Sequence, residues 1–277
     1  MNLRPSRPHE PVTILMVPFD RYSVFPKAVD SLFKETSHPF KLIIVEGNAP
    51  DDVRNELEKR RKKHKNIQIL YTSHHPRMAE AFNMGLVHVR TPHAFLMHNH
   101  LVVTPGWLSA LMEHVPAKDS ILMPYVSNTN GTPFSFLHTF LASKELLDEI
   151  GLFDESVGTP FWGIDLENRL KSKNVAITRD PASVLEYQGP AVLKGADLRL
   201  FLHQWDDPHT RQTLAYMKQK WGMAPEETKY LEWLEKKRST ARYKVSPILP
   251  PMTLASAMPL TDPGAGFRKL IQVFNQA

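Results

Sequence analysis

The stretch Phe95–Trp107, "FLMHNHLVVTPGW", sets two histidines, His98 and His100, two residues apart where an apolar run ends. Imidazoles placed there can ligate a metal, donate N–H groups to an anion, or exchange protons near neutral pH. Further along, "FWGIDLENRL" holds Asp165 and Glu167, carboxylates of the kind that take a proton from an attacking hydroxyl. Three other polar segments also follow apolar runs: "PFDR" at Pro18 to Arg21, "EGNAPDD" from Glu46, and "TSHHPR" ending at Arg77. Metal binding, anion binding and acid–base chemistry are all open to these side chains.

The apolar runs show what positions them. "VTILMV" (Val12 to Val17), "KLIIV" (Lys41 to Val45), "NIQILYT" (Asn66 to Thr72) and "AFLMHNH" (Ala94 to His100) read as buried strands. Between them, "FPKAVDSLFKET", "DDVRNELEKRRKKH" and "RMAEAFNMGLVHV" have helical spacing, with Ala28, Val29, Leu32 and Phe33 on one face of the first. This alternation predicts βαβ crossovers and an α/β fold: a Rossmann-like, mostly parallel sheet with helices on both faces. Ligands of such sheets sit beyond the carboxyl ends of the strands, where all four polar segments fall.

From about Leu122 the pattern turns to shorter strands and loops, and a helix through Leu166 and Leu170 follows Gly163-Ile164-Asp165. An aspartate before a helical run is also a frequent cap, so capping stands beside catalysis as a reading of Asp165. Beyond Gly195, "ADLRLFLHQWDDPHTRQTLAYMKQKWG" and "PEETKYLEWLEKKR" have helical patterns, and "SPILPPMTLASAMPLTDPGAG" is a Pro-rich connector. The terminal "FRKLIQVFNQA" aligns Phe267, Leu270, Ile271 and Phe274, a face suited to docking on the body or on a second copy in a homo-oligomer.

With 277 residues, 42% of them hydrophobic, the chain can bury a sizeable core. No apolar run reaches the roughly 18 residues of a membrane helix, and "MNLRPSRPHEP" lacks the apolar middle of a secretory signal, so a soluble cytoplasmic protein is expected. The absence of cysteine excludes disulfides, thiolate metal sites and a cysteine nucleophile. A formal charge of +5 favours anionic partners in a general way. The basic runs "EKRRKKHK" (Glu58 to Lys65) and "EKKRSTARYK" (Glu235 to Lys244) read first as solvated helix faces.

"VTILMVPFDR", "KLIIVEGNAPDD", "AEAFNMGL", "FLMHNHLVVTPGWLSAL", "GLFDES", "GIDLENRLKSKNVAI" and "YMKQKWG" occur in the order and at about the spacing of the inverting, nucleotide-sugar-dependent glycosyltransferases of family 2. The chain resembles that family from Val12 to about Gly222. The resemblance implies a GT-A fold over residues 12–222, with a nucleotide-sugar-binding half (12–104) and an acceptor half (105–222). An N-terminal leader (1–11) and a helical, Pro-rich extension (223–277) flank it. By the same resemblance Pro18, Phe19, Asp20 and Arg21 line the nucleotide, and Glu46 and Asn48 face the base or ribose. Arg77, Ala81 and Asn83 fall on the loop and helix that contact the nucleotide, while Asp154, Glu155 and Trp162 fall on the acceptor side. Physical chemistry is consistent with this: a buried carboxylate discriminates bases by their N–H groups, and a guanidinium pairs with phosphate. Trp162 suits stacking on a sugar, or the core, where aromatic residues more often sit.

The chain departs from the family at its metal motif. Where the family places an Asp-x-Asp motif that holds a divalent ion on the diphosphate, this sequence has His98 and His100. In one account both remain ligands, for Mn or Zn rather than Mg, with His74, His203 or His209 as a third. In a second, the site is metal-free and the imidazoles stabilise the leaving diphosphate directly, aided by Arg77 or a lysine. In a third, donor binding has decayed and the domain is a binding or assembly module. Hard phosphate-bridging cations prefer oxygen ligands, and the motif offers none, which favours the metal-free account. A plain hydrogen-bonded strand end is the bland alternative. For the base, Arg169-Leu170 aligns Asp165 with the second acid of the family's Glu-Asp-x-Asp stretch, and a two-residue shift makes it the base itself; Glu167 is the substitute. The expected donor is a UDP-, GDP- or dTDP-linked sugar. The acceptor stays open among saccharide, protein, small molecule and nucleic acid, including modified bases in DNA.

Overall fold

The computed structural model describes residues 10–115, 119–127, 137–159, 161–188, 193–204 and 207–222. Four parallel strands form one half of its sheet: β1 (Val12–Val17), β2 (Phe40–Val45), β3 (Ile67–Leu70) and β4 (His93–His98). All six β1 residues are buried, as expected of a central strand covered on both faces. The other half is made by β5 (Leu101–Val103), β6 (Ser120–Ser127), β7 (Phe140–Ser143) and β8 (Ala176–Tyr187), in the overall order β3-β2-β1-β4-β7-β6-β8-β5. Strand β7 is antiparallel to both β4 and β6, β5 is antiparallel to β8, and the remaining pairs are parallel.

The run expected as one strand through His100 ends at His98. Asn99 and His100 form a turn, and Leu101–Val103 leaves for the far edge of the sheet, where it pairs with Val103↔Leu185 to Leu101↔Tyr187. This turn carries the chain from the first half of the sheet into the second, which brings both histidines to the junction. Strand β8 tolerates Pro181 because the register to β6 shifts between Pro124 and Tyr125, leaving residues 181–183 looped out of the ladder.

The helices follow their apolar faces. Helix α1 (Phe25–Glu35) starts with a proline in its first turn and buries Phe25, Ala28, Val29 and Leu32. Helix α2 (Asp51–Lys63) has Asp51 and Asp52 at its start and Arg60 to Lys63 at its end, matching the helix dipole, and buries only Val53 and Leu57. Helix α3 (Met78–Leu86) lies close to β1 through Gly85: a Cβ there would come within 2.1 Å of the Leu15 side chain. Helices α4 (Trp107–Glu113), α5 (Lys144–Ile150), α6 (Trp162–Ser172), α7 (Gly195–Gln204) and α8 (Asp207–Trp221) complete the fold. The first of the patterns expected as helical beyond Gly195 is divided between α7 and α8 and ends with Trp221; the second, "PEETKYLEWLEKKR", and the rest of the extension from 223 onward lie outside the described residues. Among the described residues no helix is long and apolar enough to cross a membrane.

Candidate active site

The polar segments converge at the carboxyl ends of β1, β2 and β4. Val17 and His98 are cross-strand partners, so the loop Pro18–Arg21 starts beside the histidine turn. Asn99 ties the two together: its Oδ1 accepts from the Phe19 N–H at 3.0 Å, and its Nδ2 donates to the Arg21 carbonyl at 2.7 Å. Gln188, just after β8, donates to the Asn99 carbonyl at 3.2 Å, and its own carbonyl accepts from the Arg21 guanidinium. Asn99 and Gln188 thus position the loop, and they are residues the sequence reading passed over.

Phe19 lies on the histidines, stacked on His98 with centroids 4.7 Å apart and tilted on His100 at 4.6 Å. The His98 and His100 rings are 5.3 Å apart. Trp162 and Phe82 flank His98, and Tyr187 meets His100 edge-on at 5.0 Å. A third imidazole, His138, approaches His98 at 6.1 Å. Both His98 and His100 are fully buried, and burial, reinforced by His138 and by each other, holds their pKa values well below the usual imidazole range. They are therefore neutral groups. Among the described residues both ring nitrogens of His98 and the Nδ1 of His100 lack a hydrogen-bond partner. Unsatisfied buried polar atoms are rare and mark a place where a polar ligand group would be welcome.

Asp20 is buried beside Tyr187, whose hydroxyl donates to it at 3.5 Å, and lies 3.6 Å from the Arg21 guanidinium. Burial raises its carboxyl to about 6 against the pull of Arg21. Among the described residues no three His, Asp or Glu side chains are arranged to hold a metal ion. The proposed third ligands point elsewhere: His74 bonds Glu80 at 2.7 Å, His203 packs on His75 at 5.9 Å, and His209 lies against Gly158. An all-imidazole donor set under an aromatic cover does not fit a phosphate-bridging divalent ion, and no step below is routed through one.

Glu46 is buried at the end of β2. Its carboxylate accepts from Arg54 Nε at 2.5 Å, the Asn48 N–H at 2.9 Å and the Thr72 N–H at 3.4 Å. Asn48 also accepts from Arg54 at 3.0 Å, and sits with Gly47 in left-handed backbone. Gly47 is required twice over, since a Cβ there would meet Pro18 at 2.6 Å as well as straining its φ of +79°. The β1 and β2 loops are thereby packed into one rim. Arg54, four positions beyond Pro50 on α2, gave no signal in the sequence pattern.

Helix α7 lies across this rim. Asp197 accepts from the backbone N–H groups of Tyr22 and Ser23 at 2.6 and 3.2 Å, Gln204 donates to the Pro76 carbonyl at 3.0 Å, and Arg77 donates to the His203 carbonyl at 3.2 Å. Asn83 does not face the rim: it exchanges hydrogen bonds with the backbone of Phe153 at 2.8 and 2.9 Å and donates to Glu155 at 2.8 Å. It pins the "GLFDES" loop. Ala81 is buried beside it. Trp162 belongs to an aromatic cluster with Phe82, Phe153 and His98.

Asp165 is in the first turn of α6, whose N-cap is Phe161, so it is not a cap. Its carboxylate, 1% exposed, accepts from Arg169 at 3.0 Å, from Trp221 Nε1 at 2.9 Å and lies 2.8 Å from Lys220 Nζ. Lys220 also reaches Asp154 at 2.6 Å, which accepts from Tyr216 at 2.6 Å as well. Burial alone would raise Asp154, but these donors hold it down to about 2. The end of α8 therefore clamps both Asp154 and Asp165, a contact across more than fifty positions that no local pattern could reveal. Glu167 is outside this cluster, paired with Lys171 at 2.8 Å. In α2 the basic run is largely neutralised: Lys59, Arg60 and Arg61 all pair with Asp30, Glu56 or Glu58.

A model of glycosyl transferase family 2 matches residues 13–163, and the chain belongs to that family. Solved structures share its GT-A fold. A mannosyltransferase from Pyrobaculum calidifontis, PcManGT, in complex with GDP-Man and Mn2+, is 14% identical with a TM-score of 0.57, over 84% of this chain and 71% of that one. GalNAc-T7 with UDP, GalNAc and Mn2+ is 13% identical with a TM-score of 0.56, over 88% of this chain and 59% of that one. TarS 1-349 of S. aureus in complex with UDP-GlcNAc is 13% identical with a TM-score of 0.55, over 73% of this chain and 69% of that one. Among curated proteins none matches the sequence at a significant level.

Proposed function

We infer that this chain transfers a sugar from a nucleotide-sugar donor to a hydroxyl acceptor with inversion. The observation that carries the reading is the rim at the carboxyl ends of β1, β2 and β4, which carries Arg21, Glu46 and Asn48 and where buried ring nitrogens of His98 and His100 have no hydrogen-bond partner among the described residues. The structural neighbours bind GDP-Man or UDP-linked ligands, which supports the same donor class here.

In this mechanism Glu46 and Asn48 receive the base and ribose, and Arg77 pairs with the diphosphate. The acceptor oxygen attacks the anomeric carbon, the bond from that carbon to the diphosphate oxygen breaks, and the acceptor proton passes to Asp165, with Glu167 as the substitute. Neutral His98 and His100 accommodate the departing diphosphate by N–H donation rather than as cations. Two contacts have to open first: Phe19 from the histidines, and Lys220 and Trp221 from Asp165. Those same contacts favour a second reading, a GT-A binding module whose chemistry has been lost.

Calorimetry on metal-stripped protein with UDP-, GDP- and dTDP-sugars, with and without Mn, separates the readings. A transferase binds at least one donor and loses that binding when His98→Gln and His100→Gln are combined. A chain that binds no donor under either condition is the module instead, and the transferase reading fails.

A further inference from the structure

At the other end of the sheet lies a cavity of about 510 Å³ whose charged lining is Lys41, Lys65, His88 and Arg90 over a floor that includes Ile43 and Ile67; no carboxylate contributes. It is remote from the donor rim. Thr13 and Lys41, which it touches, are cross-strand partners near the starts of β1 and β2. At a rise of about 3.3 Å per residue, Thr13 is roughly 13 Å along the strand from Val17.

The site is held in place. Arg90 Nη1 donates to the carbonyls of Val87 and Val89 at 2.7 and 3.0 Å, which fixes the guanidinium and neutralises the carbonyl end of α3. The same segment is tied to β1 through Thr91, whose hydroxyl accepts from the Thr13 N–H at 3.0 Å. Lys41 stands near the start of β2 and Lys65 in the turn that leads into β3, both exposed. Among the described residues neither lysine has an ion-pair partner, although Asp30, Glu56 and Glu58 on α1 and α2 engage Lys59, Arg60 and Arg61.

Three permanent cations and an imidazole with no compensating acid concentrate anions at a concave surface. A guanidinium matches an oxyanion in bidentate fashion, and lysines add point charges that follow it. The volume lies in the range of small-molecule sites, roughly 300–1,000 Å³, and the floor offers apolar contact to a carbon skeleton. A nucleic-acid surface distributes its cations over many phosphates along a strand, whereas these are gathered around one hollow. We propose that this cavity is a second binding site, for a small organic phosphate or an equivalent polyanion.

The test is calorimetry of the full chain with inorganic pyrophosphate, ribose 5-phosphate and a short single-stranded oligonucleotide at low and moderate salt. It is repeated in the double variant Lys41→Glu, Lys65→Glu and in His98→Gln, His100→Gln. The proposal expects binding of a small phosphate that weakens about tenfold or more in the lysine variant and persists in the histidine variant. Both lysines are exposed, so the lysine variant should keep the wild-type melting temperature; if it does not, Lys41→Ala alone supplies the same readout. Binding lost only in the histidine variant would put the anion in the donor rim and overturn the proposal. So would unchanged affinity in the lysine variant, no binding of any small phosphate, or an oligonucleotide that binds far tighter than pyrophosphate with a steeper salt dependence. Each of these outcomes leaves the donor-binding measurement standing by itself.

Discussion

Lowering the pH from about 7.5 to about 5.5 should destabilise the protein by about 2 kcal/mol, chiefly through His98 and His100. Both are buried, and burial, with the neighbouring imidazoles, holds their folded pKa values well below the ordinary 6.5. The unfolded chain titrates near the ordinary value, so as pH falls beneath it the unfolded state binds protons that the folded core refuses. Stability is thus fully retained above about 6.5 and lost below it. For one histidine that stays neutral when folded, the loss over this interval is a little over about 1 kcal/mol, and for two about 3 kcal/mol. Asp20 acts in the opposite sense. Its carboxyl is raised to about 6 by burial, so between that value and its ordinary 3.8 the folded state holds the extra proton. Over the same interval this returns about 1 kcal/mol, which leaves a net loss of about 2 kcal/mol. Urea unfolding at both pH values measures the total, and repeating it with His98→Gln and His100→Gln isolates the pair: the pH dependence should shrink by about 3 kcal/mol. A double variant with the wild-type pH dependence would refute the picture of two neutral, sealed imidazoles. It would also reopen a cationic role for them.

Replacing Lys220 by Met removes the ammonium shared by Asp154 and buried Asp165, and should cost about 2 kcal/mol because Arg169 remains on Asp165. Urea unfolding measures the cost, and a shift in the emission of Trp221, whose indole N–H is on the same carboxylate, reports the site directly. Asn83→Ala deletes both backbone bonds to Phe153 and should cost about 2 to 3 kcal/mol, with faster proteolytic cleavage near Leu152 to Ser156; unchanged cleavage would show that the loop does not depend on this pin. For the proposed reaction, Asp165→Asn should lower kcat by about 100-fold or more while donor affinity in calorimetry stays within about twofold. An equal loss in donor affinity would instead make Asp165 a structural anchor.

The sequence by itself determined the first half of the sheet, the order of the family motifs and the residues gathered at the strand ends. Runs such as Val12–Val17 and Lys41–Val45 carry their own burial pattern, because a parallel strand covered on both faces must be apolar throughout. It also set His98 and His100 two residues apart at the end of the apolar run that forms β4. Only the tertiary structure decided what those residues touch. The strand stops at His98, and its continuation pairs with β8 at the far edge, a choice of partner invisible to local periodicity. Phe19 covers the histidines, His138 and Tyr187 join them from distant segments, and Asn83 turns to the loop at Phe153. Lys220 and Trp221 reach Asp165 from the end of α8. Periodicity encodes the repeating hydrogen bonds and burial of one element. The partners of a buried polar side chain depend on which elements the topology brings together, and that is settled only when the whole chain packs.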